Sequence, residues 1–164
     1  MAMAKNIFLA EDDEDDRLLF TMAVEEIDNS ICLNYAKNGV EALTKLSNMH
    51  TLPDLVFMDI NMPLMNGFEC LSHLKKHIRF KNIPVVILTS TNNPTEEELA
   101  QMLGANFFLL KSFNFSLLQT NITNMLDLFA PITGNKKKHE DINSSSLKPG
   151  MESHIISLLE GGLS

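Results

Sequence analysis

The sequence predicts a doubly wound α/β fold, five parallel strands in one sheet with helices packed on both faces. Three observations lead there. Short apolar runs alternate with segments of helical periodicity from residue 6 to residue 130. Four of the five runs are almost continuously apolar, as strands covered on both faces require. Each strand–helix unit takes about twenty-odd residues, as βα repeats of an open sheet do.

NIFLA (6–10) is the first strand, and Leu18, Leu19, Met22 and Ile27 mark the helix after it. ICLNYA (31–36) alternates more than the other runs and suits an edge strand; Val40, Leu43 and Leu46 follow on the second helix. LVFMD (55–59) is the third strand, with Phe68, Leu71, Leu74 and Ile78 spaced three or four apart behind it. PVVILT (84–89) precedes PTEEELAQMLG, a helix with Pro94 in its first turn, acids at its positive end and a stop at Gly104. FFLL (107–110) is the last strand. Leu117, Leu118, Ile122, Met125, Leu126 and Phe129 form a fifth helix that ends before Pro131.

Residues 1–130 are therefore expected to form one domain with a substantial core. From Pro131 the composition turns polar: PITGNKKKHEDINSSSLKPG reads as a linker, so residues 131–164 form a tail. Met151, Ile155, Leu158 and Leu159 have the spacing of a short helix over 151–160, too short to be stable undocked. The net charge of −8 argues against a nucleic-acid surface, and Lys136, Lys137 and Lys138 read as part of the solvated linker. No apolar run reaches the ~18 residues of a membrane span, and the N-terminus lacks a signal peptide's apolar core. Cys32 and Cys70 fall in apolar segments without metal-ligand spacing, which points to buried free thiols and a cytoplasmic location.

Right-handed crossovers put the C-terminal end of every strand on one edge of the sheet, where ligands bind beside the reversal of strand order. In LAEDDEDDRLLF (9–20) six consecutive acids follow the first strand. The strand ends supply Glu11 and Asp12, then Asp59, then Thr89 and Ser90, then Lys111. Three converging carboxylates need a counter-ion to stay ionised, and hard oxygen donors suit Mg²⁺. A carboxylate partly neutralised by a cation and a lysine, beside a hydroxyl donor, suits the acceptance of a phosphoryl group. Asp13, Glu14, Asp15 and Asp16 are assigned to the start of the first helix, where its dipole favours acids.

The pieces IFLAEDDEDD, DINMPLMNGFE, ILTS and GANFFLLKSF, in this order, resemble the receiver domain of bacterial two-component response regulators. Each piece alone is weak; together they are specific, and they cover roughly residues 5–129. The resemblance implies a flavodoxin-like strand order, 2-1-3-4-5, in a stand-alone receiver similar to the chemotaxis regulators. It implies that Asp59 accepts phosphate from a histidine kinase or a phosphotransfer protein. Glu11 and Asp12 match the acidic pair, Asp12 as a direct Mg²⁺ ligand and Glu11 through water. Asp59 and the backbone carbonyl of Asn61 match the remaining metal ligands. Lys111 matches the lysine that pairs with the phosphoryl oxygens, Thr89 the hydroxyl that moves toward them, and Phe108 the aromatic that moves inward with it. The surface of the fourth helix, fifth strand and fifth helix then carries the signal to a downstream protein target, into a phosphorelay or into a phosphorylation-dependent homodimer. No enzymatic activity beyond self-phosphorylation and autodephosphorylation is implied.

Two residues depart from the family pattern. Ser112 stands where proline usually follows the lysine, so either a cis non-proline bond costing about 3 kcal/mol is kept or the loop differs. Phe108 replaces the frequent tyrosine, so its ring cannot hydrogen-bond when turned outward.

Competing readings are less well supported. A Mg²⁺-dependent phosphohydrolase would need a general acid near Asp59 and usually a cap domain; DINMP offers Asn61 and no insertion. An unphosphorylated docking module is disfavoured because no site residue is missing. Lys111 could simply pair with Asp12. His73 and His77 lie four apart but off the apolar stripe, without a third ligand, and read as exposed. Met58, Met62 and Met65 read as core filling, and Pro63 and Gly67 as turn residues. The tail is too short for a DNA-binding output domain.

Overall fold

The computed structural model describes residues 3–131, and in it strands and helices alternate throughout. β1 (Asn6–Ala10) leads to α1 (Glu14–Ile27), β2 (Cys32–Ala36) to α2 (Gly39–Asn48), and β3 (Leu55–Asp59) to α3 (Gly67–Lys76). β4 (Val85–Thr89) and α4 (Pro94–Met102) are followed by β5 (Phe107–Leu110) and α5 (Phe115–Leu128). The strands are all parallel and lie in the order β2-β1-β3-β4-β5, as the resemblance implies.

Burial follows the sequence pattern. Every residue of β3 and β4 is buried, apolar up to the closing Asp59 and Thr89, and both strands lie inside the sheet. β2 is half exposed and lies on an edge. Phe8, Phe57, Phe107, Phe108, Met58 and Ile87 are among the fully buried side chains on which the helices close.

All five helices start on an Asp or Asn whose side chain accepts a first-turn backbone N–H: Asp13, Asn38, Asn66, Asn93 and Asn114. At α3 the cap is reciprocal, because the Glu69 side chain also accepts from the Asn66 N–H. α4 opens on Pro94 as expected, and Gly104 follows it with φ +97°.

Several expected core positions face solvent instead. α1 buries Phe20, Ala23 and Val24, whereas Leu18 and Met22 are exposed. Three consecutive apolar residues, 18 to 20, cover more than half a helical turn, so periodicity alone left the face ambiguous. Small residues settle it: Ala23 on α1 and Ala42 on α2 lie against the sheet, while Val40 points out. Ile78 lies beyond the end of α3 and is exposed; Phe80 fills the core there. Cys70 is buried as expected, but Cys32 is exposed on the edge strand. The linker and the short helix expected over 151–160 lie outside the described residues. Among the described residues, no helix is long and apolar enough to cross a membrane.

Candidate functional site

Sheet register assembles the site. Ala10 pairs with Met58, so Glu11 leaves β1 level with Asp59 at the end of β3. Asp59 pairs with Leu88, and Thr89 follows; Thr89 pairs with Leu110, and Lys111 follows. The Lys111 N–H donates to the Thr89 carbonyl at 2.7 Å. These residues share the C-terminal edge of the sheet, where β2 and β3 flank β1 and the chain order reverses.

The side chains converge on one ammonium. Lys111 Nζ lies 2.6 Å from Glu11 Oε2, 3.0 Å from Asp59 Oδ1 and 3.0 Å from Asp16 Oδ2. Its partners are thus Glu11, Asp16 and Asp59 rather than Asp12. Glu11 is 2% exposed and Asp59 4%, whereas Asp12 is exposed. Carboxylate oxygens of Glu11, Asp12 and Asp59 nevertheless all lie within 4.8 Å of one another.

Charge at this edge is out of balance. Burial raises the Glu11 carboxyl to about 7, although a hydrogen bond from Lys111 opposes the shift and the Asp59 charge adds to it. Burial likewise raises Asp59 above the ordinary carboxylate range, against the pull of Lys111. Burial by itself would lower Lys111, but hydrogen bonding to Glu11 and the charge of Asp59 outweigh it and hold the ammonium well above its usual value. One lysine cannot neutralise two buried carboxylates, so both shift upward despite it. A divalent cation would supply the missing charge, and three hard oxygen donors facing one small space fit it.

The loops are fixed by specific bonds. Arg17 Nη1 donates to the carbonyls of Glu11 and Asp12, at 2.9 and 2.7 Å, and pins the turn after β1. After β3 the chain passes Asn61, which is exposed, and Leu64 with φ 67°, then folds back so that Gly67 donates to the Ile60 carbonyl at 2.8 Å. A Cβ on Gly67 would stand 2.2 Å from the Asp59 carbonyl oxygen, so this approach requires glycine.

Thr89 is 2% exposed and hydrogen-bonds to groups other than Glu11, Asp12 and Asp59: its Oγ1 reaches the Thr91 carbonyl at 3.1 Å and Glu96 Oε2 at 3.5 Å. Phe108 is 2% exposed, so its ring is already inside. Lacking the hydroxyl of tyrosine, the ring has no group to hydrogen-bond from an outward position. No cis peptide bond occurs among the described residues, so the loop alternative holds at Lys111–Ser112. Ser112 Oγ accepts from the Asn114 N–H at 3.1 Å as the chain enters α5.

Of the residues expected at the site, Glu11, Asp12, Asp59 and Lys111 come together. Thr89, Phe108 and Asn61 lie on the adjoining strands and loop. Sequence reasoning missed Asp16, Arg17 and Glu96. A signal for Asp16 existed: Asp16, Phe20, Ala23, Val24 and Ile27 repeat at helical spacing on the inward face of α1, which carries Asp16 to the sheet edge.

Comparison with known proteins agrees with this fold. Residues 7–123 match the family model of the response regulator receiver domain. The chain is 31% identical over 123 residues to the sensor histidine kinase CheAY of Helicobacter pylori, a match covering 74% of this chain and 15% of that kinase. The phosphorylated cyanobacterial phytochrome response regulator RcpA superposes with a TM-score of 0.70 at 28% identity, over 77% of this chain and 94% of that one. The Mn²⁺-bound form of the response regulator Rcp1 gives 0.68 at 25% identity, over 81% and 99%. Fold, strand order, acidic cluster and family match all agree, and the chain belongs to the response regulator receiver domain family.

Proposed function

We propose that this chain accepts a phosphoryl group on Asp59 from the phosphohistidine of a histidine kinase or phosphotransfer protein, and passes the signal to a downstream protein. The observation that carries the reading is the cluster itself: Asp59 and Glu11, both buried, share Lys111 and face Asp12 with an excess of negative charge. A carboxylate oxygen of Asp59 attacks phosphorus in line as the bond to the donor nitrogen breaks, and the electron pair leaves with the imidazole. The step needs positioning and charge neutralisation rather than proton transfer. Lys111 meets the phosphoryl oxygens with an ammonium held at the site. Mg²⁺, held by Asp12, Asp59, the Asn61 carbonyl and Glu11 through water, would supply the remaining positive charge.

The product adds about −1.5 to −2 charges beside Thr89. Turning toward those oxygens takes the Thr89 hydroxyl away from Thr91 and Glu96, and so bears on the start of α4. With Phe108 already inside, Thr89 and its loop carry the change. The surface of α4, β5 and α5 then presents it to the downstream protein or to a second copy of the chain.

The test is incubation with acetyl phosphate and Mg²⁺, read by intact mass. A single phosphoryl adduct is expected in the parent and none in Asp59→Asn. An unmodified parent, or equal modification of the variant, overturns the assignment.

A further inference from the structure

We propose that Asp16 is a positioning residue for Lys111, a fixed tether that holds the ammonium in place while its other partners change. The proposal rests on the phosphoacceptor reading of Asp59. A lysine ammonium has three N–H donors, and here three carboxylates face it: Glu11, Asp59 and Asp16. Glu11 and Asp59 have a second task, since both contribute to the oxygen cluster that fits a cation, and Asp59 changes chemically when it is phosphorylated. Asp16 has neither role. It stands in the first turn of α1, its own N–H bonded to the capping Asp13 at 2.9 Å. Below it Phe20, Ala23 and Val24 anchor the helix in the core. Its carboxylate is thus an acceptor carried on the first turn of α1, 3.0 Å from Nζ.

A lysine side chain is intrinsically mobile, and its charge is useful in phosphoryl transfer only when aimed. When a cation takes Glu11 and Asp59, the Asp16 contact keeps Lys111 from swinging into solvent.

Two readouts test this, with Asp16→Asn, which keeps an acceptor oxygen without the charge, and Asp16→Ala, which removes both. The first is the proton–nitrogen signal of lysine ammonium groups in protein saturated with Mg²⁺, where the cation draws on Glu11 and Asp59, with Lys111 identified by loss of its peak in Lys111→Met. A protected Lys111 signal is expected in the parent, weaker in Asp16→Asn and absent in Asp16→Ala. The second is the rate of adduct formation from acetyl phosphate at saturating Mg²⁺. About three- to tenfold slowing is expected in Asp16→Ala, with Asp16→Asn between, and no further slowing when Asp16→Ala is combined with Lys111→Met. An unchanged ammonium signal, a faster rate, or the same slowing without Lys111 overturns the tether. If the parent forms the Asp59 adduct while Asp16→Ala changes nothing, the tether alone fails. If Asp16→Ala abolishes the ammonium signal but the parent forms no adduct, the phosphoacceptor reading fails and the tether stands.

Discussion

At the scale of single residues, the site holds more negative charge than its one lysine can balance, and this has a consequence for stability. Burial lifts Glu11 to about 7 and moves Asp59 in the same direction. A carboxyl raised above its unfolded value binds its proton more tightly in the folded state. Between about 4.5 and 7 the native protein therefore carries more protons than the unfolded chain, and stability falls as pH rises through that window. Asp28 and Glu41, held low by hydrogen bonds from Lys5 and Lys45, act only at more acid pH. Metal-free protein should thus be about 1–3 kcal/mol less stable at pH 7.5 than at pH 5 on account of Glu11. Urea unfolding with a chelator at the two pH values measures this. Glu11→Gln should flatten the difference, and Mg²⁺ should raise stability at pH 7.5. A parent equally stable at both values would remove the argument. Glu11, Asp12, Asp59 and Lys111 were legible in the sequence because strand ends need only the fold class to be placed on one edge. Asp16 was not, because six acids in a row offer several helix-start explanations, and only the inward face of α1 singles one out.

At the scale of elements, the loop after β3 shows how backbone geometry serves the site. Gly67 begins α3 directly against the Asp59 backbone, where a Cβ would meet the carbonyl oxygen at 2.2 Å and the Ile60 Cα at 3.0 Å. Because the obstacle is backbone, nothing flexible can yield. Gly67→Ala should cost about 2–4 kcal/mol in denaturant unfolding and slow adduct formation on Asp59, since relief requires shifting the end of β3. Loss of stability without any change in adduct rate would show that Asp59 is insulated from this contact. The elements were readable from apolar runs and stop signals, in type and in order. Their buried faces were not. Leu18, Met22 and Val40 drew the apolar stripes toward themselves, while Ala23 and Ala42, the small residues that let helices approach the sheet, gave little hydrophobic signal. The five Asx caps were present in the sequence as well, but Asp and Asn are equally common in turns, so only the backbone distinguishes a cap.

Across the described residues as a whole, anchoring is uneven, and the unevenness coincides with the path proposed for the signal. α3 buries Cys70, Leu71 and Leu74 in the core, α5 Ile122, Met125 and Leu126, α1 Phe20, Ala23 and Val24, and α2 Ala42 and Leu46. α4 buries Ala100 alone, and leaves Leu99 and Met102 exposed. The same helix carries Glu96, the partner of Thr89, in its first turn, so the least anchored of these helices is the one tied to the hydroxyl beside the phosphoacceptor. Segments with little buried apolar surface open at low free-energy cost, and a modest change at their ends shifts their equilibrium. Native-state hydrogen exchange should therefore find the α4 amides less protected than those of α3 and α5 in the unmodified protein. Treatment with acetyl phosphate and Mg²⁺ should then change protection most in residues 89–102, and leave α3 and the centre of the sheet unaltered. Protection of α4 equal to that of α5, or a response spread evenly over all five helices, would mean that the signal leaves the site by packing through the core instead.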